Sequence, residues 1–193
     1  MFSGIVEGTA ILLSSKQHDG IVHLKLEMPF DPLDVKRGDS ICVSGVCLTA
    51  VNIEGRVLSF EVMPETIKRT SLGRVPVKGR LNVERSLQVG GRVHGHFVFG
   101  HIDGVSTLTS RTENGGSVEF VFSIPEGLRK YFAHKGSVSI NGVSLTLGEI
   151  TKETFKVYLI PHTLATTTLG QLQVGEVANI EVDMLARYAF GEG

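Results

Sequence analysis

Tryptophan is absent from this sequence, and only Cys42 and Cys47 carry thiols. Two cysteines are too few for a disulfide scaffold or a cysteine-rich zinc site. Proline is sparse, and neither charge sign is in excess: the formal net charge is −1. No global field therefore recruits nucleic acid or an anionic membrane. The opening "MFSGIVEGTA" has no basic stretch and no long apolar run, so neither a signal peptide nor a membrane span is expected, and the chain reads as cytoplasmic. No Walker loop, no GxGxxG after a strand and no nucleophile elbow around Ser144 is legible. No basic or aromatic stripe supports an oligonucleotide-binding barrel. Glycine is abundant at 23 residues, and a content of 41% hydrophobic and 20% charged residues is that of an ordinary soluble domain.

The chain is also written twice. "SGVCLTA" at 44–50 returns as "NGVSLTL" at 141–147, and "PETIKRTSLG" at 64–73 returns as "PHTLATTTLG" at 161–170. "LNVE" at 81–84 returns as "ANIE" at 178–181, and "GIVEG" at 4–8 as "GHIDG" at 100–104. The order is kept and the offset stays at 96 or 97, far beyond solenoid periods. The expected organisation is a first unit over 1–88, a Gly-rich linker over 89–95, a second unit over 96–183 and a tail over 184–193 that forms a short helix.

Each copy reads as all-β. "IVHLKLEM", "VLSFEV", "VEFVFSI" and "FKVYLI" alternate apolar and polar residues. Turn signals at Glu54-Gly55, Asn114-Gly115 and Asn141-Gly142 separate strands. About six short strands per copy, with edges needing cover, predict two homologous six-stranded antiparallel Greek-key β-barrels with short helices. One helix per copy is expected, in "PEGLRKYFAHKG" at 125–136 and more weakly in "PFDPLDVKRGD". A two-residue turn at Asn141-Gly142 pairs Ile140 with Val143 and Ser139 with Ser144. Its counterpart pairs Val43 with Val46 and Cys42 with Cys47. A cross-strand disulfide is geometrically conceivable there, but reduced thiols are the expectation in a reducing cytosol. Alternation puts Cys47 with Thr49, and Ser144 with Thr146, on one strand face. These are expected at equivalent, inward-facing places.

Several residues suggest chemistry. His94, His96 and His101 in "RVHGHFVFGHIDG" could suggest zinc, but no cysteine or matching carboxylate set beyond Asp103 completes a site, so no metal is expected. His94 and His96 take a surface or hydrogen-bonding role. His101 replaces Ile5 of the first copy between conserved glycines. Lys135, Ser137, Asn141, Ser144 and Thr146 cluster in sequence around the second hairpin. Singly, each has a plain structural reading: a solvated cation, a turn former, hydroxyls on backbone groups.

"MFSGIVEG", "GVCLT", "PETxxxTxLG", "GHFVxGHIDG", "KGSVSINGVSLT" and "NIEVD" together resemble riboflavin synthase of the α-chain type, from Met1 to about Asp183. The resemblance implies two Greek-key barrels and a transferase at the last step of riboflavin biosynthesis. The implied reaction is dismutation of two molecules of 6,7-dimethyl-8-ribityllumazine, with four carbons passing from one to the other. Riboflavin and 5-amino-6-ribitylamino-2,4(1H,3H)-pyrimidinedione result, with no cofactor. It further implies a homotrimer in which two lumazines stack between the N-terminal barrel of one subunit and the C-terminal barrel of its neighbour, and an association with lumazine synthase. By resemblance, His101, Ser144, Cys47, Lys135 and Phe2 are the catalytic candidates. Ser40, Thr49, Thr66, Gly4, Gly100, Asn141, Thr146, Ile160 and Thr163 are the substrate-binding candidates, with Ser137 at a matching place. Three departures stand out: the tail "MLARYAFGEG" is shorter than the family's C-terminal helix, Asn141 stands where many relatives carry Asp, and Phe99 is apolar where relatives are often polar. The alternative is a non-catalytic lumazine- or flavin-carrying antenna protein on the same fold. Such relatives tend to lose the active-site Cys and His, and both are present here.

Overall fold

The computed structural model describes residues 1–191. The first copy contributes β1 (Gly8–His18), β2 (Ile21–Glu27), β3 (Ser40–Val43), β4 (Val46–Glu54), β5 (Val57–Val62), α1 (Pro64–Arg69) and β6 (Arg80–Arg85). The second repeats the series as β7 (Gly104–Asn114), β8 (Ser117–Ser123), β9 (Ser137–Ile140), β10 (Val143–Ile150), β11 (Thr154–Leu159), α2 (Pro161–Thr166) and β12 (Val177–Val182). The chain then continues into α3 (Met184–Phe190). Each set of six strands closes into an antiparallel barrel, in the order β1-β2-β5-β4-β3-β6 and its equivalent β7-β8-β11-β10-β9-β12. Closure leaves no sheet edge unpaired.

Alternation builds the two cores. Leu24, Leu26, Leu58, Phe60 and Leu81 fill the first barrel. The second is richer in aromatic rings: Phe155 lies 5.7 Å from Phe122 and 4.8 Å from Phe132, centroid to centroid. The barrels bend through register shifts at equivalent places, between Leu12 and Ser14 and between Leu108 and Ser110. Such bulges sharpen twist where a small barrel must turn its corners.

The two hairpins follow the expected register, with Cys42 opposite Cys47 and Ser139 opposite Ser144. Ser44-Gly45 and Asn141-Gly142 all have positive φ, between 44° and 85°, as a type I′ turn requires. Both cysteines are free. Three expectations are corrected. The segment 125–136 is not a helix beyond a single 3₁₀ turn at Arg129–Tyr131. The left-handed Gly127 interrupts the helical backbone, and the apolar spacing reflects Phe132 packing into the second core. The helix of each copy instead follows β5 or β11, as α1 or α2, each starting on a proline. Cys47 and Ser144 do not face inward. Val46, Leu48, Val143 and Leu145 enter the barrels, and the two polar residues lie on the outer faces.

Candidate functional site

The barrels meet across a local two-fold axis, and a set of backbone and asparagine contacts there is made twice. Phe2 N donates to Val98 O at 2.7 Å, and Val98 N returns to Phe2 O at 3.1 Å. Asn82 Nδ2 donates to Asn141 O, and Asn179 Nδ2 donates to Ser44 O, each at 2.8 Å. Asn82 Oδ1 accepts from Thr168 N, while Asn179 Oδ1 accepts from Ser71 N. Such reciprocity is what a two-fold relation between like units imposes.

The same axis crosses the leading segment of each copy over to the other barrel. Ser144 N donates to Gly4 O at 2.8 Å, and Cys47 N donates to Gly100 O at 3.0 Å. Gly4 and Gly100 have φ of +76° and +77°. A β-carbon on Gly4 would lie 2.6 Å from Ser144 Cβ, and one on Gly100 would lie 2.5 Å from Cys47 Cβ. These two glycines are required by both conformation and space. Behind each segment stands a buried glutamate. Glu84 accepts from Ser3 N, Ser3 Oγ and Gly4 N, and Glu181 accepts from Phe99 N and Gly100 N. Burial pushes both carboxyls above 4.5, against the pull of those hydrogen bonds.

On the first-copy side, Val46, Cys47, Thr66, Arg69, Thr70, Gly100, His101 and Ile102 line a cavity of about 220 Å³. Four expected residues, Cys47, Thr66, Gly100 and His101, come together here from β4, α1 and the crossed segment. α1 is tightened by Thr70, whose Oγ1 and N both bond Thr66 O.

The equivalent place beside Ser144 differs, because the linker lies on it. His96 Nδ1 is 2.7 Å from Ser144 Oγ, and His96 N donates to Ser3 O. A β-carbon on Gly95 would meet Ser144 Oγ at 2.8 Å. His96 Nε2 is buried without a partner. Burial lowers the imidazole below its ordinary 6.5, and Asp183 partly opposes this. Ser144 Oγ thus lies within hydrogen-bond reach of an imidazole whose charged form burial disfavours, and in the tautomer with Nδ1 unprotonated that nitrogen can accept the hydroxyl proton. The sequence predicts a surface or hydrogen-bonding role for His96. Its pairing with Ser144 is a contact 48 residues distant, and no local signal carries it.

The lowered imidazole has a consequence for stability. A base depressed on folding contributes fully above its unfolded value, and that contribution is lost as pH falls through the folded one. Glu84 and Glu181 act in the opposite sense, with contributions complete below 4.5 and lost as pH rises. The stability gap between wild type and His96→Gln therefore narrows as pH drops below 6.5. Urea midpoints from pH 8 to pH 5 check this, and a gap independent of pH contradicts it.

The other expected residues are dispersed. Phe2 is wholly buried with Cys42 and Val98 at the junction, where its backbone pairs with Val98. Asn141 is buried, and its Oδ1 accepts from Asn179 N of β12. Thr163 occupies in α2 the place of Thr66 in α1, and Ile160 precedes α2, exposed. Ser40 pairs with Thr49, and Ser137 with Thr146, at the hairpin ends away from the turns. Ser40 lines a separate cavity of about 210 Å³ with Asp34, Asp39 and Arg85. Lys135 is exposed, with φ of 65°, and its N donates to Leu147 O. The chain does not by itself bring Lys135 to the His101 cavity. Among the described residues, no three His, Cys, Asp or Glu side chains converge as a metal site, and no helix is long and apolar enough to cross a membrane.

Comparison with known proteins agrees with this architecture. The lumazine binding domain family matches residues 3–86 and 99–183. The riboflavin synthase of Bacillus subtilis (strain 168) is 37% identical over 190 residues, covering 98% of this chain and 88% of that protein. That of Brucella abortus (strain 2308) is 38% identical over 194 residues, covering 98% and 96%. Among solved structures, LumP complexed with riboflavin superposes with a TM-score of 0.86 at 29% identity, covering 94% of this chain and 99% of that one. LumP complexed with 6,7-dimethyl-8-(1'-D-ribityl) lumazine gives 0.84 at 28%, with the same coverage. With two matched domains on two dyad-related barrels, and near-complete alignment to curated enzymes, the chain belongs to the riboflavin synthase family.

Proposed function

We propose that this chain is a riboflavin synthase that converts two 6,7-dimethyl-8-ribityllumazines into riboflavin and 5-amino-6-ribitylamino-2,4(1H,3H)-pyrimidinedione. The observation that carries this reading is the pair of dyad-related outer-face sites, one around Cys47 and one around Ser144. Two identical substrates are met by two related but unequal places. Holding them face to face makes their encounter effectively intramolecular, which supplies much of the rate.

The first site offers the Cys47, Thr66 and His101 side chains around an open cavity. A histidine there can move a proton to or from the substrate's ring or methyl group. At the second, Ser144 adds to the acceptor ring as its hydroxyl proton passes to His96 Nδ1, and the same pair reverses the step when the adduct collapses. Thr163, Thr146 and Ile160 extend this site along its outer face. Thr49 and Ser137 lie at the hairpin ends farther along these strands, and Ser40, opposite Thr49, lines its own cavity.

The two sites of one chain lie on outward faces, which supports a homotrimer in which neighbouring subunits bring unlike barrels together, Lys135 reaching the reacting pair from across that contact. It would neutralise developing negative charge there. Leu185, Tyr188 and Phe190 of α3 are exposed and supply apolar contact area for assembly. Free, directly opposed Cys42 and Cys47 suit a reducing cytoplasm. Support for partnering with lumazine synthase comes from the family resemblance alone.

The antenna reading has less support from the relatives. Enzymes match at 37–38% identity, against 28–29% for LumP. The test is to mix the pure protein with 6,7-dimethyl-8-ribityllumazine and follow riboflavin absorbance without added cofactor. Turnover is expected. A bound yellow chromophore that does not turn over would favour the antenna.

A further inference from the structure

A second departure from the dyad is a charged pair beside His101. In the first copy Glu7, three residues beyond Gly4, is tied to β6 of its own barrel. Glu7 Oε1 accepts from Arg85 N at 2.6 Å, and Glu7 Oε2 takes Arg85 Nε and Nη2 at 2.8 and 2.5 Å. In the second copy the equivalent carboxylate is Asp103. Its Oδ2 accepts from Val182 N at 2.8 Å, as Glu7 does from Arg85 N. Valine, however, stands where arginine stood, so β12 offers no cation. The charge comes from α3 instead: Arg187 Nη2 bonds Asp103 Oδ1.

Asp103 needs that partner. Its side chain is only 9% exposed, and a buried carboxylate stripped of its cation is costly. Arg187 is itself placed. Its guanidinium carbon lies 5.7 Å from the centre of the Tyr131 ring, and its N donates to Asp183 O. Asp183 in turn caps α3 through Leu185 N. His101 lies between two anchors: Phe99 and Gly100 are gripped by Glu181, and Asp103 is gripped by Val182 and Arg187.

We propose that Arg187 is a positioning residue that makes the C-terminal helix set the placement of His101 in the Cys47 cavity, a dependence the first copy's segment does not share. The inference rests on the proposed role of His101 in riboflavin formation. Arg187→Ala should lower kcat about tenfold, because a small displacement of a reacting group costs heavily. KM should stay within about twofold, and Arg187→Lys should recover most of the loss. Hydrogen exchange provides an activity-independent readout. Amides of 99–103 should exchange faster in Arg187→Ala, while those of 3–7, held by Arg85, should not change.

The proposal is overturned if kcat is unchanged, if both segments loosen alike, or if the loss follows subunit dissociation in sedimentation. Should wild type itself fail to make riboflavin, the functional reading falls, and the exchange contrast still decides whether Arg187 pins the His101 segment.

Discussion

Gly100→Ala should reduce riboflavin formation by about 100-fold while leaving both barrels folded. The added carbon would stand 2.5 Å from both Cys47 Cβ and Cys47 N, and 2.8 Å from Cys47 Cα. None of these atoms can swing aside, since they belong to a strand of a closed barrel. The crossed segment must lift, carrying His101 away from Cys47 and Thr66, and a misplacement of about 1 Å can cost that factor. Gly55→Ala is the control. Gly55 also has positive φ, +59°, but open space around it. It should show the backbone penalty of roughly 1 kcal/mol and keep full activity. Gly4→Ala should behave like Gly100→Ala, because its carbon would meet Ser144 Cβ at 2.6 Å. Steady-state rates with circular dichroism separate these cases. Equal activity in Gly55→Ala and Gly100→Ala contradicts the account.

Asn179→Ala should destabilise the chain by roughly 3 kcal/mol, which is about 9 °C in Tm for a chain of this size. Asn179 is fully buried on the dyad. Its removal strands Ser44 O, which accepted its Nδ2 at 2.8 Å, and Ser71 N, which donated to its Oδ1 at 2.6 Å. Two buried backbone groups lose partners at once, and no neighbouring side chain replaces an amide that both donates and accepts. Asn82→Ala should cost a similar amount, since it strands Asn141 O and Thr168 N in the mirrored positions. Thermal melts of both variants test this. A loss below about 1 kcal/mol in either would mean that water replaces the amide, and that the junction is not held by these residues.

Much of the architecture was legible because barrels are built from local signals. Period-2 alternation and the Asn141-Gly142 turn locate strands and register, and the near-constant offset of the repeats reveals the duplication. The helices were not legible. α1 and α2 are six residues each, too short for a periodic face, and their signal was a proline following an extended residue. The 125–136 segment carried the stronger helical spacing, yet Phe132 and Leu128 owe it to packing on the second core. Strand alternation correctly grouped Cys47 with Thr49, but it does not say which face is inside. That depends on Leu48 and Leu145 filling the cores. The resemblance named Cys47, Thr66, Gly100 and His101 as separate candidates, and the fold brings them to one cavity. The resemblance could not supply His96 on Ser144, because the linker's path over the second site depends on how the barrels dock.

That docking gives the duplication its chemical meaning. One site is an open cavity bearing His101, and the other is a serine covered by the linker and paired to an imidazole whose charged form burial disfavours. Two equal lumazines would be received unequally, one as donor and one as acceptor. The most direct test is a mass balance on the purified protein supplied with 6,7-dimethyl-8-ribityllumazine alone. The account predicts two lumazines consumed for each riboflavin formed, with one pyrimidinedione released and no added cofactor. One lumazine per riboflavin, or a requirement for an added oxidant or reductant, would contradict it.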